Sequence, residues 1–381
     1  MNKKIIAILL ITLTLFLCGC TKIEQPKEEP EIETTTEYVP TPEEVQIEKM
    51  TLEEKVAQLF FIMPEALDTN VEGKVTALTD TMKETYKKYP AGGIILFADN
   101  IQDPTQIKQL TQDIHDLNEL TPFIGVDEEG GSITRIAKNP NFNVTKFSSM
   151  LATKDADEAY TIGKTIGAYL TEYGFDVDFA PVADVNTNPS NPVIGKRAFS
   201  ANPENAAKMV AGAIKGFHDS GVMTSIKHFP GHGDTQTDTH KGYAETQKTW
   251  EEIKNCEMIP FISGIEAGTD MVMVAHIAAP KVTGDGTPAT LSYTLINEKL
   301  RNELNYNGVV ITDGMNMGAI AQQYSSADAA VKAIEAGVDI ILLPENYIEA
   351  YNGVLAAVQN GTITEERIDE SVMRILHLKL S

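Results

Sequence analysis

From Met50 onward, short apolar and β-branched runs alternate with longer segments whose apolar residues recur every three or four positions. The short runs predict strands at 58–63, 93–97, 123–126, 177–180, 224–228, 271–275, 309–312 and 340–343. The longer segments predict helices at 105–117, 157–173, 203–220, 250–267, 292–305, 327–336 and 348–359, with a last helix at 365–379. Several of these helices run into a glycine (Gly174, Gly221, Gly268, Gly337 and Gly361), which can take the left-handed conformation that closes a helix. Strands separated by helices predict a parallel sheet, either open and doubly wound or closed into a (β/α)8 barrel. Polar residues decide between the two. Asp127, Asp184, Lys227, His228, His276 and Asp313 all fall at or just beyond the C-terminal end of a predicted strand. A barrel gathers those ends into one mouth, where its active site belongs, whereas an open sheet spreads them along an edge. The expectation is an α/β chain with a single (β/α)8 barrel of the TIM type over 50–381, closed by the last helix and followed by no second domain.

The N-terminus reads differently. Lys3 and Lys4 precede an apolar stretch, 5–17, broken only by Thr12 and Thr14. That length suits a signal peptide and is short for a membrane span. It ends in Leu17-Cys18-Gly19-Cys20, which resembles a bacterial lipobox. The resemblance implies a signal peptide over 1–19, cleavage before Cys20 and a lipid on its thiol, holding the protein to a membrane outside the cytoplasm. A plain signal peptide or an uncleaved anchor is the alternative. The stretch after Cys20 is rich in Glu, Pro, Thr and Lys and poor in large apolar residues, so 20–49 reads as a disordered tether. Besides Cys18 and Cys20 the only cysteine is Cys256, too few for a disulfide framework. Cys256 is expected as a small buried apolar residue within the 250–267 helix.

Charge narrows the partners. The chain carries 31 basic and 54 acidic residues, a formal charge of −23. Such a surface repels phosphate backbones and argues against nucleic acid, while leaving a neutral substrate acceptable. Part of the acidity lies in the tether and serves solubility.

Four segments carry chemistry. The densest runs Lys227-His228-Phe229-Pro230-Gly231-His232-Gly233-Asp234 and continues to Asp238 and His240, with three histidines, two aspartates and a lysine in 14 residues. Proline and two glycines force a loop after the strand, and so polar a run gains little as core. Asp238 and His240 are two apart and share a face in an extended segment. A carboxylate beside an imidazole fixes its tautomer and stabilises its protonated form. A histidine pKa near ~6.5 suits giving a proton to a leaving group and later taking one back. The second segment is Gly308 to Met317, an apolar strand ending in Asp313-Gly314. Asp313 stands at the rim, either as a reactive carboxylate or as a cap of the next helix. The third is Gly125-Val126-Asp127-Glu128-Glu129-Gly130-Gly131 with Arg135, where paired glycines allow close backbone approach to a ligand or simply make a turn. The fourth is the loop 191–200, which presents Arg197 to a ligand or to a surface ion pair.

Together these segments resemble bacterial β-N-acetylhexosaminidases of glycoside hydrolase family 3, from about Met50 to the C-terminus. The Lys-His-Phe-Pro-Gly-His-Gly-Asp run with its later Asp-x-His is specific to that branch, and the four segments follow the family's order and approximate spacing. The resemblance implies a barrel that removes terminal N-acetylglucosamine with retention of configuration, acting in peptidoglycan turnover. It implies Asp313 as nucleophile, His240 as general acid/base and Asp238 as its partner. It places Asp127, Arg135, Arg197, Lys227 and His228 around the sugar and requires neither metal nor organic cofactor. Ser132 departs from the family, standing where many relatives have arginine. Some relatives carry a further C-terminal domain; here the acid/base is expected from within the barrel.

Other readings compete. A metal-dependent hydrolase could draw ligands from His228, His232, Asp234, Asp238 and His240. Against it, no helical i, i+4 histidine pair occurs and Lys227 would oppose a cation. A non-catalytic sugar-binding surface lipoprotein would suit the leader and tether but has no need of Asp313, Asp238 and His240. A phosphorylase would use the same residues with phosphate in place of water.

Overall fold

The computed structural model describes residues 38–235 and 244–381, and one compact unit begins at Thr41. Cys20, Asp238 and His240 lie outside the described residues. The strands are β1 (Phe60–Ile62), β2 (Gly93–Ile95), β3 (Phe123–Val126), β4 (Val177–Asp178), β5 (Met223–Phe229), β6 (Ala244–Glu245), β7 (Met271–Val274), β8 (Ile277–Ala278), β9 (Val309–Thr312) and β10 (Ile341–Leu342). Eight of them form one parallel sheet in the order β10-β1-β2-β3-β4-β5-β7-β9. Its two ends meet: Ile311 bridges Ile340 in parallel, and the Thr312 N–H donates to the Ile340 carbonyl at 3.0 Å. The sheet is therefore closed, and the expected (β/α)8 barrel stands. β6 and β8, which the sequence pattern did not suggest, pair with each other apart from the barrel.

β1, β2, β3 and β7 are apolar along their length because both faces are covered, by helices outside and by neighbouring strands inside. Phe61 plugs the interior, edge-on to Phe179 at 5.5 Å and stacked on Phe123 at 6.5 Å. Gly93 and Gly125 make room for it, since a Cβ on either would run into the Phe61 ring. Outside, the helices Ala156–Glu172 and Pro203–His218 approach backbone to backbone. A Cβ on Gly163 would run into the Ala213 carbonyl, and one on Gly216 into that of Tyr160.

Five expectations need correction. The tether ends earlier than residue 49, because Pro42–Ile47 is a helix packed beside the C-terminal helix Glu365–Leu380. A second helix, Leu52–Gln58, takes the start of the predicted 58–63 strand. Both open with the same device, a Thr-x-x-Glu box in which each side chain bonds the other's backbone N–H (Thr41 with Glu44, Thr51 with Glu54). Thr51→Ala removes one such cap and is expected to cost about 1 kcal/mol, read as a lower urea midpoint with unchanged slope. The predicted 250–267 helix is two, Trp250–Lys254 and Met258–Glu266. They break where Glu257 turns inward to meet Lys248. Cys256 falls in that break and is partly exposed, not buried in a helix. The 292–305 helix is wound wide over Thr294–Glu303, ending in a bond from the Leu304 N–H to the Lys299 carbonyl, five residues back.

Candidate active site

The barrel brings Asp127, Lys227, His228 and Asp313 to one mouth, at the C-terminal ends of β3, β5 and β9. They line a cavity of about 310 Å³ together with Glu129, Arg135, Arg197 and His232. Phe97, Val193, Met317 and Leu343 supply apolar wall. A larger cavity of about 530 Å³ opens beside Arg301, Arg367 and Arg374, near the starts of β9 and β10, and gathers none of the predicted site residues.

Lys227 is 2% exposed and lies between two carboxylates, 2.7 Å from Asp127 Oδ1 and 2.8 Å from Glu129 Oε1. Its carbonyl is held by the Ala183 N–H at 2.7 Å, which fixes the strand end. Glu129 grips Arg197 with both oxygens, at 2.7 and 2.8 Å. Arg135 reaches Asp127 at 3.3 Å and lies over the Phe97 ring. Burial alone would disfavour the charged forms of Asp127, Glu129 and Lys227. For Glu129, the charges of Arg197 and Lys227 outweigh burial and hold the carboxyl well below its usual range. Asp127 is lowered in the same way by Lys227 and Arg135. Burial pulls the Lys227 ammonium down, but Asp127 and Glu129 hold it above its usual value. The network is thus fully ionised at neutral pH.

His228 is placed between Asp184 and Arg197. Its Nδ1 lies 2.7 Å from Asp184 Oδ2, and its Nε2 3.3 Å from an Arg197 nitrogen. A guanidinium only donates, so Nε2 accepts and Nδ1 carries the proton. Burial, then Arg197, push the imidazole well below its usual pKa, so it is neutral. Asp184, with no exposed surface, also receives the backbone N–H groups of His228 (3.3 Å) and His232 (2.6 Å). Burial nevertheless raises it to about 6, against the pull of His232 and these N–H groups.

Asp313 leaves β9 with its backbone N–H on the Val274 carbonyl at 2.8 Å, so the barrel itself sets its position. The Gly314 N–H donates to its Oδ1 at 2.8 Å. Burial would raise this carboxyl, but His228, His276, the Gly314 N–H and Lys227 together hold it below its usual range. Since His228 is neutral, its share is that of a dipole, and Lys227 supplies the full charge. Asp313 does not cap the helix Gly318–Ala321, whose N-cap is Met317. The capping alternative is therefore excluded, and the carboxylate is left to the cavity.

The loops around the mouth are tied to one another. Asn191 donates to the His232 carbonyl at 2.7 Å and accepts from the Val193 and Ile194 N–H groups at 2.8 and 2.7 Å. This couples the Arg197 loop to the glycine-rich one, so Arg197 is not a surface ion pair. Glu128, fully buried, accepts the N–H groups of Arg135, Ile136 and Ala137 and the Tyr169 hydroxyl, and so sets the course of the Arg135 segment. All five expected sugar-contacting residues meet at the cavity. Glu129, the shared anion, lies inside the Asp127-Glu128-Glu129-Gly130-Gly131 run, but nothing in the sequence pattern singles it out. The pattern marks Asp184 only as a strand-end residue and His232 only as a candidate metal ligand. Of the metal ligands considered, Asp238 and His240 lie outside the described residues. Among the described residues no three His, Cys, Asp or Glu side chains converge as a metal site.

Residues 51–378 match the family model described as the glycosyl hydrolase family 3 N-terminal domain. The chain is 36% identical to beta-hexosaminidase A of Pseudoalteromonas piscicida over 333 residues, covering 80% of this chain and 56% of that protein. It is 32% identical to a beta-hexosaminidase of Hydrogenovibrio crunogenus, covering 82% and 88%. Among solved structures, a family 3 beta-N-acetylglucosaminidase from a Paenibacillus species superposes with a TM-score of 0.80 at 38% identity, covering 87% of this chain and 62% of that one. The chain thus spans little more than half of the Pseudoalteromonas relative and under two thirds of the Paenibacillus one. With the family model running along most of the chain and its barrel, mouth and charged network in place, this protein belongs to glycosyl hydrolase family 3.

Proposed function

We propose that the protein is a retaining exo-β-N-acetylglucosaminidase. One observation carries the reading: Asp313 is an ionised carboxylate at the cavity, with Oδ1 fixed by the Gly314 N–H and no hydrogen bond to Oδ2 within the described residues. That geometry suits attack by Oδ2 on an anomeric carbon, giving a glycosyl-enzyme. The relatives named beta-hexosaminidase and beta-N-acetylglucosaminidase support N-acetylglucosamine as the sugar. Lys227, Arg135 and Arg197, already held by Asp127 and Glu129, offer pre-oriented donors to its hydroxyl and acetamido oxygens. On the sequence motif, His240 with Asp238 protonates the leaving oxygen and later deprotonates water. Terminal N-acetylglucosamine on peptidoglycan-derived oligosaccharides is the proposed substrate. The proposed location is outside the cytoplasm, with Cys20 lipidated.

Release of aryl alcohol from N-acetyl-β-glucosaminides, compared with β-glucosides, tests the activity. Defined muropeptides and chitooligosaccharides then test the aglycone. Turnover of the glucoside alone would refute the sugar assignment.

A pH profile tests the Asp184–His228 pair. Asp184, raised to about 6, takes up a proton as pH falls through that value and releases the His228 Nδ1–H. kcat/KM is therefore expected to fall below about pH 6, well above the titration of Asp313 itself. An acid limb confined to the usual carboxylate range would contradict this.

A further inference from the structure

Resting on the function proposed above, we propose that His232 is a substrate-recognition residue, whose Nε2 accepts a hydrogen bond from an O–H or N–H group of the bound sugar. His232 forms part of the cavity wall and is 1% exposed. Every other polar atom of the residue is engaged. Its backbone N–H is on Asp184 at 2.6 Å, and its carbonyl accepts from Asn191 Nδ2 at 2.7 Å and from the Thr235 hydroxyl at 2.9 Å. Its Nδ1 lies 2.6 Å from the same Thr235 oxygen. Thr235 has one hydroxyl hydrogen, and two oxygens 2.9 Å apart repel unless it lies between them. That hydrogen therefore goes to the carbonyl, and Nδ1 supplies its own to Thr235. With the ring hydrogen on Nδ1, Nε2 is a bare acceptor, buried and without a hydrogen-bond partner among the described residues.

A buried acceptor with no donor is unfavourable, and native structures rarely retain one without a reason. The loop backbone permits no easy escape. Gly231 has φ +119, and a Cβ on Gly233 would run into the Val185 carbonyl, so the chain is seated against its neighbours on both sides of His232. The cavity also shows what would satisfy the ring. Lys227, Arg135 and Arg197 are donors, while Asp127, Glu129 and Asp184 are already engaged by cations or N–H groups. Asp313 must keep Oδ2 for the anomeric carbon. A sugar brings as many donors as acceptors, and a neutral nitrogen can receive one without adding charge.

Imidazole ¹⁵N NMR on the intact protein tests this directly. In the free protein His232 is expected as the Nδ1–H tautomer with unprotonated Nε2. On adding N-acetylglucosamine the Nε2 resonance is expected to move upfield as it accepts a hydrogen bond. A resonance unmoved at saturation, or an Nε2–H tautomer in the free protein, would overturn the proposal. Glucose in the same titration separates the donors: a shift with both sugars assigns a hydroxyl, and a shift with N-acetylglucosamine alone assigns the acetamido N–H.

Two variants supply a functional reading. His232→Asn keeps an amide donor for Thr235 but lacks Nε2, and is expected to raise KM on an aryl N-acetyl-β-glucosaminide about tenfold with little change in Tm. His232→Gln places an amide oxygen near the Nε2 position but loses the Thr235 bond, and is expected to lower Tm while keeping KM within about threefold. The reverse pattern would mean a purely structural histidine and would overturn the proposal. Wild-type turnover of the same substrate answers separately for the function: turnover with an unmoved Nε2 resonance refutes only this assignment.

Discussion

Asp313→Ala is expected to lower kcat/KM on every glycoside substrate by about four orders of magnitude, on the order of 5 kcal/mol of transition-state stabilisation, while the protein stays folded. The size follows from the role, since without the carboxylate no glycosyl-enzyme forms. The selectivity of the loss follows from the surroundings. Lys227 keeps Asp127 and Glu129 as partners, so removing Asp313 strands no buried cation. Asp313 is held by its backbone, through the Val274 carbonyl, so the end of β9 stays in register when the side chain is cut. Asp313→Asn is the sharper variant. Its carbonyl oxygen still accepts from Gly314, but its amide is no nucleophile. A parallel fall in Tm of more than a few degrees would assign Asp313 to the fold as well as to the chemistry.

Glu129→Ala is expected to act in the opposite sense, on stability first. Its carboxylate is shared by Lys227 and Arg197, and all three are largely buried. Removing one partner of a buried network leaves the other charges uncompensated, at a cost of about 3–5 kcal/mol in urea unfolding at pH 7. Activity should fall as well, because Arg197 loses both of its bonds to Glu129 and its contact with His228 loosens. Glu129→Gln keeps the shape and loses the charge, so it should fall between wild type and alanine. The pH dependence has a definite sign. A carboxyl depressed in the folded state stabilises fully above the unfolded value, near ~4.3, and loses that contribution as pH falls toward the folded value. The gap between wild type and Glu129→Gln should therefore be widest at neutral pH and narrow below about pH 4.

How much of this was legible in the sequence varies with the physics behind each feature. The barrel strands were readable because burial on both faces demands continuous apolar runs, as in Met271–Val274 and Val309–Thr312. The mouth was readable because Asp127, Lys227 and Asp313 each follow or end such a run. What failed was local. The composition of Pro42–Ile47 continues that of the tether and hides its helix, although the Thr41-x-x-Glu44 box announces one. The break at Cys256 depends on Glu257 meeting Lys248, a pairing that apolar periodicity does not register. At the site, the types of residue were visible and their partnerships were not. Glu129 lies 68 residues from Arg197, and Asp184 44 from His228, so only the closed barrel shows which charge answers which.

The order of these partnerships also explains why the site is spread over four segments. Asp313 needs an ionising environment, which His228, His276, the Gly314 N–H and Lys227 supply together against burial. Lys227 in turn needs Asp127 and Glu129 to remain charged while buried. Arg197 balances Glu129, burial and then Arg197 hold His228 neutral, and Asp184 sets its tautomer. Each group is kept in its working protonation state by a residue from another strand end, so none of the segments would make the site alone.

The most direct test of Asp313 as the nucleophile is to trap the glycosyl-enzyme. The protein would be incubated with a fluorinated N-acetylglucosaminide that slows breakdown of the intermediate, then digested and mapped by mass spectrometry. One sugar per protein, attached to the Asp313 side chain of the peptide carrying Thr312-Asp313-Gly314, is the predicted result. A sugar on any other residue, or no adduct together with a first-formed product of inverted configuration, would contradict it.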